Sequence, residues 1–193
     1  MSTRVFGKRI KRNEDPRLLT GRALFTDDVQ LPGMLHAAFV RSTYAHARIR
    51  SIDASAARTM PGVYAVYSAD DLGAYFRHGP LNVSPPPIAR LTFHEKTHPI
   101  LARGKVRFVG EPVAVVIAES RYLAEDAAAA VIVDYEVLPA VVDIEKAILP
   151  GSETVHDDIP LNLAAHVIQE KGDYESARRK ADVVAIQSTA QAL

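Results

Sequence analysis

The chain has 193 residues, enough for one domain of ordinary size with trailing segments. Hydrophobic residues make up 48% and charged residues 24%, as in soluble globular proteins, and the formal net charge of zero provides no global field favouring nucleic acid or a membrane. Cysteine is absent, which excludes disulfides, a cysteine nucleophile, thiolate zinc sites and cysteine-ligated iron–sulfur clusters from this chain.

Residues 1–33 show little periodicity and are predicted to form an extended basic lead-in that ends at the Leu31-Pro32-Gly33 turn signal. No apolar segment follows the basic residues, so a secretory signal is not indicated and a cytoplasmic location is expected. Nucleic-acid binding is one alternative, but interleaved aromatic side chains are missing, and docking on an acidic protein surface is preferred. The basic residues are Arg4, Lys8, Arg9, Lys11, Arg12, Arg17 and Arg22.

Residues 34–150 contain two groups of predicted strands and helices. The first group has strands at Met34–Val40, Ala47–Asp53 and Val63–Tyr67, a short helix that Asp53 or Ser55 caps and that runs through Arg58, and a one-turn helix with a capping box at Ser68–Asp71. Four prolines between Gly79 and Pro87 predict an exposed loop that separates this group from the next.

The second group is predicted to be a strand–helix–strand unit. Strands at Lys105–Val109 and Val113–Ala118 flank a Gly110-Glu111-Pro112 turn, a helix runs from Ser120 to about Ala130, and a half-buried strand covers Val131–Val137. This order indicates a βαβ crossover or its split variant, in an α/β fold of mixed type with a mixed sheet. After Pro150 the pattern loosens, with a short helix at Asp173–Ala181 and a strand at Asp182–Gln187.

One segment matches an active-site pattern. His94-Glu95-Lys96-Thr97-His98 fits H-E-x-x-H, in which two histidines one helical turn apart bind zinc and the glutamate acts as base. Pro99 follows the second histidine directly and disfavours a helical conformation for His98. A zinc hydrolase that uses His94, Glu95 and His98 is therefore an alternative hypothesis, and a chance match is the preferred interpretation.

The other candidate residues are interpreted as structural. Glu111 follows a turn glycine and could act as a general base, but we expect it to anchor the turn by accepting backbone N–H groups. Gly104-Lys105 lacks the remaining residues of a phosphate-binding loop, and no G-x-S-x-G elbow occurs. The histidines without ligand spacing, and the nominal glycosylation sequon, are His36, His46, His78, His156, His166 and Asn82-Val83-Ser84. We predict no catalytic, cofactor-binding or metal-binding residue.

Several stretches, in order along the chain, resemble the α/β-hammerhead domain of the molybdenum hydroxylases, the aldehyde oxidase and xanthine dehydrogenase family. They are Glu14–Gly21, Phe25–Asp28, Leu31–Ser42, Ala45–Asp53, Pro61–Val63, His98–Ala102, Val106–Ala114, Ala124–Ala127 and Val133–Asp143. The first of them, with its Asp15–Gly21 sequence DPRLLTG, is most similar to large subunits of the carbon monoxide dehydrogenase type. In that branch, the iron–sulfur and flavin parts are separate chains.

The resemblance implies an N-terminal scaffolding domain without catalytic residues of its own. Residues 34–150 would be the α/β-hammerhead domain, and residues 151–193 a linker and the start of the molybdenum-binding domain. The complete enzyme would be an oxidoreductase with a molybdopterin-type molybdenum cofactor in the large subunit, an iron–sulfur small subunit carrying 2Fe-2S and a medium subunit carrying FAD. A stand-alone assembly or binding module of the same fold is the alternative.

Overall fold

The computed structural model describes residues 7–73, 91–94, 99–168 and 171–185, and the chain divides into two compact units, Met1–Met34 and Leu35–Leu193. The first unit contains helix α1 (Asp15–Leu19), with Pro16 in its first turn, and a 3-10 turn at Thr26–Asp28. None of residues 7–34 is buried, and neither of these short elements was expected in the lead-in. A domain boundary at residue 150 stays a prediction.

The second unit contains short strands and helices. The strands are β1 (His36–Arg41), β2 (Ala47–Asp53), β3 (Val63–Ser68), β4 (Leu91–Phe93), β5 (Lys105–Val106), β6 (Pro112–Ala118), β7 (Ile132–Val137) and β8 (Ala165–Val167). The helices are α2 (Ser55–Arg58), α3 (Arg121–Ala129), α4 (Ile144–Ala147) and α5 (Tyr174–Lys180). The strands form sheets of order β1-β6-β3, β5-β2-β7 and β4-β8, and each pairing among the described residues is antiparallel.

The mixed α/β class is confirmed. The structure differs from the predicted mixed sheet with a βαβ crossover, because each described strand pair is antiparallel. Strands β6 and β7, which flank α3, lie in different sheets. Strand β6 is the central strand of its sheet, with β1 paired along one edge and β3 along the other. Because β6 has no free edge for β7, the chain crosses over to pair β7 with β2 instead.

Helix α3 forms where local sequence signals place it. The Oγ of Ser120 accepts the N–H of Leu123 at 3.3 Å, as an N-cap does. Ala124 and Ala127 are completely buried, and Ala124 packs against Ala38 and Ala118 of the β1-β6-β3 sheet. Small side chains on both surfaces let the helix lie close to the sheet, so this face of the sheet is covered.

Two residues of β6, Val113 and Val116, enter different parts of the core. Val116 packs in a cluster with Ala127 of α3, whereas Val113 packs with residues around β2 and β5. Val40 and Val133 pack against both clusters. The two three-stranded sheets are therefore joined by continuous apolar packing.

The segment after α4 is clamped by one side-chain amide. The Oδ1 of Asn162 accepts the N–H of Val155 at 2.8 Å, and its Nδ2 donates to the carbonyls of Ala147 at 3.0 Å and Glu153 at 2.8 Å. The φ of Asn162 is 53°, in the left-handed region that asparagine tolerates better than most residues. No local sequence pattern indicates this clamp.

Two local predictions are wrong. The carboxylate of Asp71 accepts the N–H of Ser68 at 2.7 Å, which is one half of the predicted capping box, but the Oγ of Ser68 also donates to Asp71 at 2.6 Å, and residues 69–72 form a turn and not a helix. Residues 182–185 form no strand, because the described part of the chain supplies no partner there and Val183 is 83% exposed. The expected loop at 79–87 lies outside the described residues.

Gly62 provides a test of the close packing between α3 and the turn before β3. Its φ is +79°, and an added Cβ would lie 2.8 Å from the Cδ1 of Leu123. Gly62→Ala is expected to lower the free energy of unfolding by about 2 kcal/mol or more, from backbone strain plus repacking. Gly104→Ala is the control, since Gly104 has a φ of +69° in open space and strain alone costs about 1 kcal/mol. Urea unfolding measures both variants. If Gly62→Ala and Gly104→Ala lost the same free energy of unfolding, the close contact between residue 62 and Leu123 would be refuted.

Candidate functional site: the buried polar cluster at the Gly-Glu-Pro turn

The Gly110-Glu111-Pro112 turn leads into β6 and buries a carboxylate. Glu111 is 2% exposed, and its Oε2 accepts the N–H of Arg107. This bond takes the N–H of residue 107 away from any strand partner, so β5 ends at Val106 and not at Val109 as predicted. The prediction that Glu111 anchors the turn by accepting a backbone N–H is confirmed.

Ser42, which directly follows β1, connects the turn to the sheet. Its N–H donates to the Glu111 carbonyl at 2.9 Å, and its carbonyl accepts the N–H of Gly110 at 2.8 Å. Its Oγ donates to the carbonyl of Tyr44 at 2.9 Å and accepts the N–H of Tyr44 at 3.1 Å. The guanidinium of Arg41 donates to the Gly110 carbonyl at 2.8 Å. The backbone on both sides of the turn is thus held by hydrogen bonds.

Aromatic and imidazole rings pack beside the turn. The rings of Tyr44 and Tyr135 meet edge to face, with centroids 5.2 Å apart. Burial raises the pKa of Tyr135, and the nearby negative charge of Glu111 acts in the same direction. His46 is 2% exposed, with its Nδ1 2.8 Å from the carbonyl of Pro139. Because a carbonyl can only accept, Nδ1 carries the hydrogen, and His46 is a hydrogen-bonded structural residue as expected.

This cluster supports backbone and does not present reactive groups. The carboxylate of Glu111 is buried and engaged by the chain's own backbone, so a substrate has no access to it. Among the residues that the structure describes, no three His, Asp or Glu side chains are grouped closely enough to hold a metal ion. The arrangement can fix the geometry of a turn, and it lacks the pairing of acid, base or nucleophile that a reaction needs.

The segment that matches H-E-x-x-H begins at His94, directly after strand β4. Strand β4 ends at Phe93, and the N–H of His94 donates to the carbonyl of Ala164 at 2.9 Å, which extends the pairing with β8. A zinc site of the H-E-x-x-H type requires both histidines on one helix. The strand pairing of His94 therefore argues against the zinc-hydrolase alternative, while Glu95 and His98 lie outside the described residues.

The other histidines occupy different elements. His36 lies in β1 opposite Ala118, and His166 lies in β8 opposite Thr92. His156 lies in the half-buried segment after α4. The described histidines thus give no sign of a shared site. His78 and the sequon at 82–84 lie outside the described residues.

An ion pair with one buried member, Lys105, was not predicted from the sequence. The side chain of Lys105 is 7% exposed, and its Nζ donates to the Oδ1 of Asp157 at 2.6 Å. The hydrogen bond from Lys105 lowers the pKa of Asp157. The partners are 52 residues apart, so no local pattern could indicate the contact. The pair ties the segment after α4 to β5.

None of the helices in the described residues is both long enough and apolar enough to cross a membrane.

Comparison with known proteins identifies the fold. Residues 20–139 match the family model described as aldehyde oxidase and xanthine dehydrogenase, a/b hammerhead domain. The chain is 41% identical over 180 residues to the nicotine 6-hydroxylase large subunit of Paenarthrobacter nicotinovorans, covering 93% of this chain and 21% of that protein. It is 46% identical over 153 residues to the carbon monoxide dehydrogenase large chain of Afipia carboxidovorans, covering 79% of this chain and 18% of that protein.

A solved structure agrees with the sequence matches. Quinoline 2-oxidoreductase from Pseudomonas putida 86 matches with a TM-score of 0.66 and 46% identity, over 79% of this chain and 19% of that one. This chain spans about a fifth of the length of the curated relatives. The resemblance seen in the sequence is confirmed. The chain belongs to the aldehyde oxidase and xanthine dehydrogenase family and carries its α/β-hammerhead domain.

Proposed function

We propose that this chain is the N-terminal scaffolding domain of a molybdenum hydroxylase large subunit and has no catalytic residue of its own. The observation that carries the proposal is a hammerhead domain, similar to large subunits over about a fifth of their length, whose buried Glu111 and Lys105 side chains bind other groups of the same chain. Glu111 holds a turn and Lys105 holds a neighbouring segment. Both side chains stabilise a support for other polypeptide.

The cofactors of the whole enzyme form part of the same proposal. Among the described residues, no group of three His, Asp or Glu side chains could hold a metal ion, and no reaction step is assigned to this chain. We infer that the rest of the large subunit binds a molybdopterin-type molybdenum cofactor, with 2Fe-2S and FAD on a small and a medium partner subunit. The names "large subunit" and "large chain" of the relatives support a multi-subunit enzyme. A cytoplasmic location is the accompanying inference.

The basic lead-in is proposed to dock against a neighbouring subunit. Arg4 lies outside the described residues. The six other basic residues lie between residues 7 and 34, where the structure buries no residue. The same segment exposes 86% of Leu19 and 64% of Phe25. Apolar side chains beside basic ones suit an acidic protein surface with apolar pockets better than a nucleic-acid backbone.

Association in trans tests the scaffolding function. The probe is the part of the Afipia carboxidovorans large chain that lies outside the region matched by this chain. We expect this chain and the probe to sediment together at about 10 µM, because a supporting domain presents a surface complementary to what it supports. The relative's own matched region, supplied as a separate polypeptide, is the positive control. If that region binds the probe and this chain does not, the proposed function is wrong.

A further inference from the structure

One face of the β1-β6-β3 sheet is not covered by the described residues. Strand register places Phe39, Val115 and Tyr67 side by side across the three strands. The adjacent row consists of Ala37, Ile117 and Ala65. The alternate residues of β1 and β6, which include Ala38 and Ala118, face α3 instead. We call the surface formed by these two rows the outer face.

The outer face is apolar, although it is open. An antiparallel sheet with one solvated face normally places polar side chains there. Each position in the two rows is instead Ala, Val, Ile, Phe or Tyr, and Phe39 and Tyr67 are each 43% exposed. The guanidinium carbon of Arg41 lies 5.5 Å from the centre of the Phe39 ring, at the border of this surface. A sheet that is apolar on both faces is built to be covered on both.

We propose that the rest of the large-subunit polypeptide packs on the outer face. This inference depends on the proposed function and adds the place of contact. The chain spans about a fifth of the length of its relatives, so roughly four times as much polypeptide belongs to the complete large subunit. The occupant presents aliphatic or aromatic side chains to the two rows, because no charged group lies within them that a polar partner could pair.

The size of the outer face favours this occupant over a second copy of the chain. Strands about 4.8 Å apart and rows about 7 Å apart give a surface of roughly 200 Å². A standard interface buries about 800 Å² on each partner. A second copy that met this face alone would bury too little for a stable dimer. A much longer polypeptide can cover this face and continue over neighbouring surfaces.

Charged substitutions on the outer face test the inference with the same sedimentation probe. The variant carries Phe39→Glu and Tyr67→Glu, and the matched control is Tyr122→Glu on α3, on the other side of the sheet, where Tyr122 is 82% exposed. We expect the double variant to raise the dissociation constant at least tenfold and the control to change it less than twofold. Thermal unfolding of the free variants checks that each of them folds.

Hydroxyl-radical labelling of the unaltered chain keeps the test independent of variant folding. Labelling of Phe39 and Tyr67 should fall at least threefold in the complex, while that of Tyr122 stays unchanged. If the unaltered chain binds but neither its labelling nor the affinity of the double variant changes, the inference is wrong and the scaffolding function stands. If the free chain dimerises and Phe39→Glu with Tyr67→Glu abolishes only that dimer, the occupant is a second copy and the inference is equally wrong.

Discussion

Glu111→Ala is expected to lower the free energy of unfolding by about 3 kcal/mol, since it removes the acceptor of the Arg107 N–H and leaves a cavity. The site is 2% exposed, so little water can replace the lost carboxylate. Glu111→Gln retains an oxygen that can accept the same N–H, and its expected cost is about 1 kcal/mol. Urea unfolding monitored by circular dichroism measures both values.

Glu125→Ala is the matched control for this experiment. Glu125 lies on the exposed side of α3, where the same substitution should change the stability by less than about 0.5 kcal/mol. If Glu111→Ala unfolded at the same urea concentration as Glu125→Ala, the carboxylate would not anchor the turn. The two backbone hydrogen bonds with Ser42 would then be sufficient to hold it.

Elements with strong local signals could be predicted from the sequence. Strand β2 has the predicted bounds, and α3 starts after its predicted cap, Ser120, because alternation and capping depend on residues a few positions apart. The pairing partner of β7 could not be predicted in this way. It depends on β1 and β3 already occupying both edges of β6, and this is a property of the assembled sheets.

Among the polar contacts, too, only those with a local sequence signal could be predicted. The role of Glu111 could be inferred because a carboxylate directly after a turn glycine is a local signal. The partners of Lys105 and Asn162 could not be inferred, since each contact depends on where a distant or irregular segment returns. The family resemblance supplied the function class, but it did not indicate which sheet face is open. That information came from the strand register and exposure of Phe39 and Tyr67.

The two members of the Lys105–Asp157 pair are expected to respond unequally to substitution. The Lys105 side chain is 7% exposed and that of Asp157 is 72% exposed. Asp157→Ala leaves a buried ammonium without its counter-charge, with an expected cost of about 3 kcal/mol. Lys105→Met fills the same space with an apolar side chain and leaves a carboxylate that water can solvate, so its expected cost is below about 1 kcal/mol. Urea unfolding at pH 7 compares the two variants.

The pH dependence of the same pair provides an independent measurement. The hydrogen bond from Lys105 lowers the pKa of Asp157 from its ordinary value of 3.8, so the folded state binds this proton less tightly than the unfolded state does. The stabilisation is therefore fully present above pH 3.8, and it is lost as the pH falls through the lowered pKa that Asp157 has in the folded state. The difference in unfolding free energy between the unaltered chain and Asp157→Ala should be constant above about pH 5 and shrink in stronger acid. Equal losses for Asp157→Ala and Lys105→Met, with no acid dependence, would mean that Lys105 is solvated and that the pair does not hold the segment after α4 to β5.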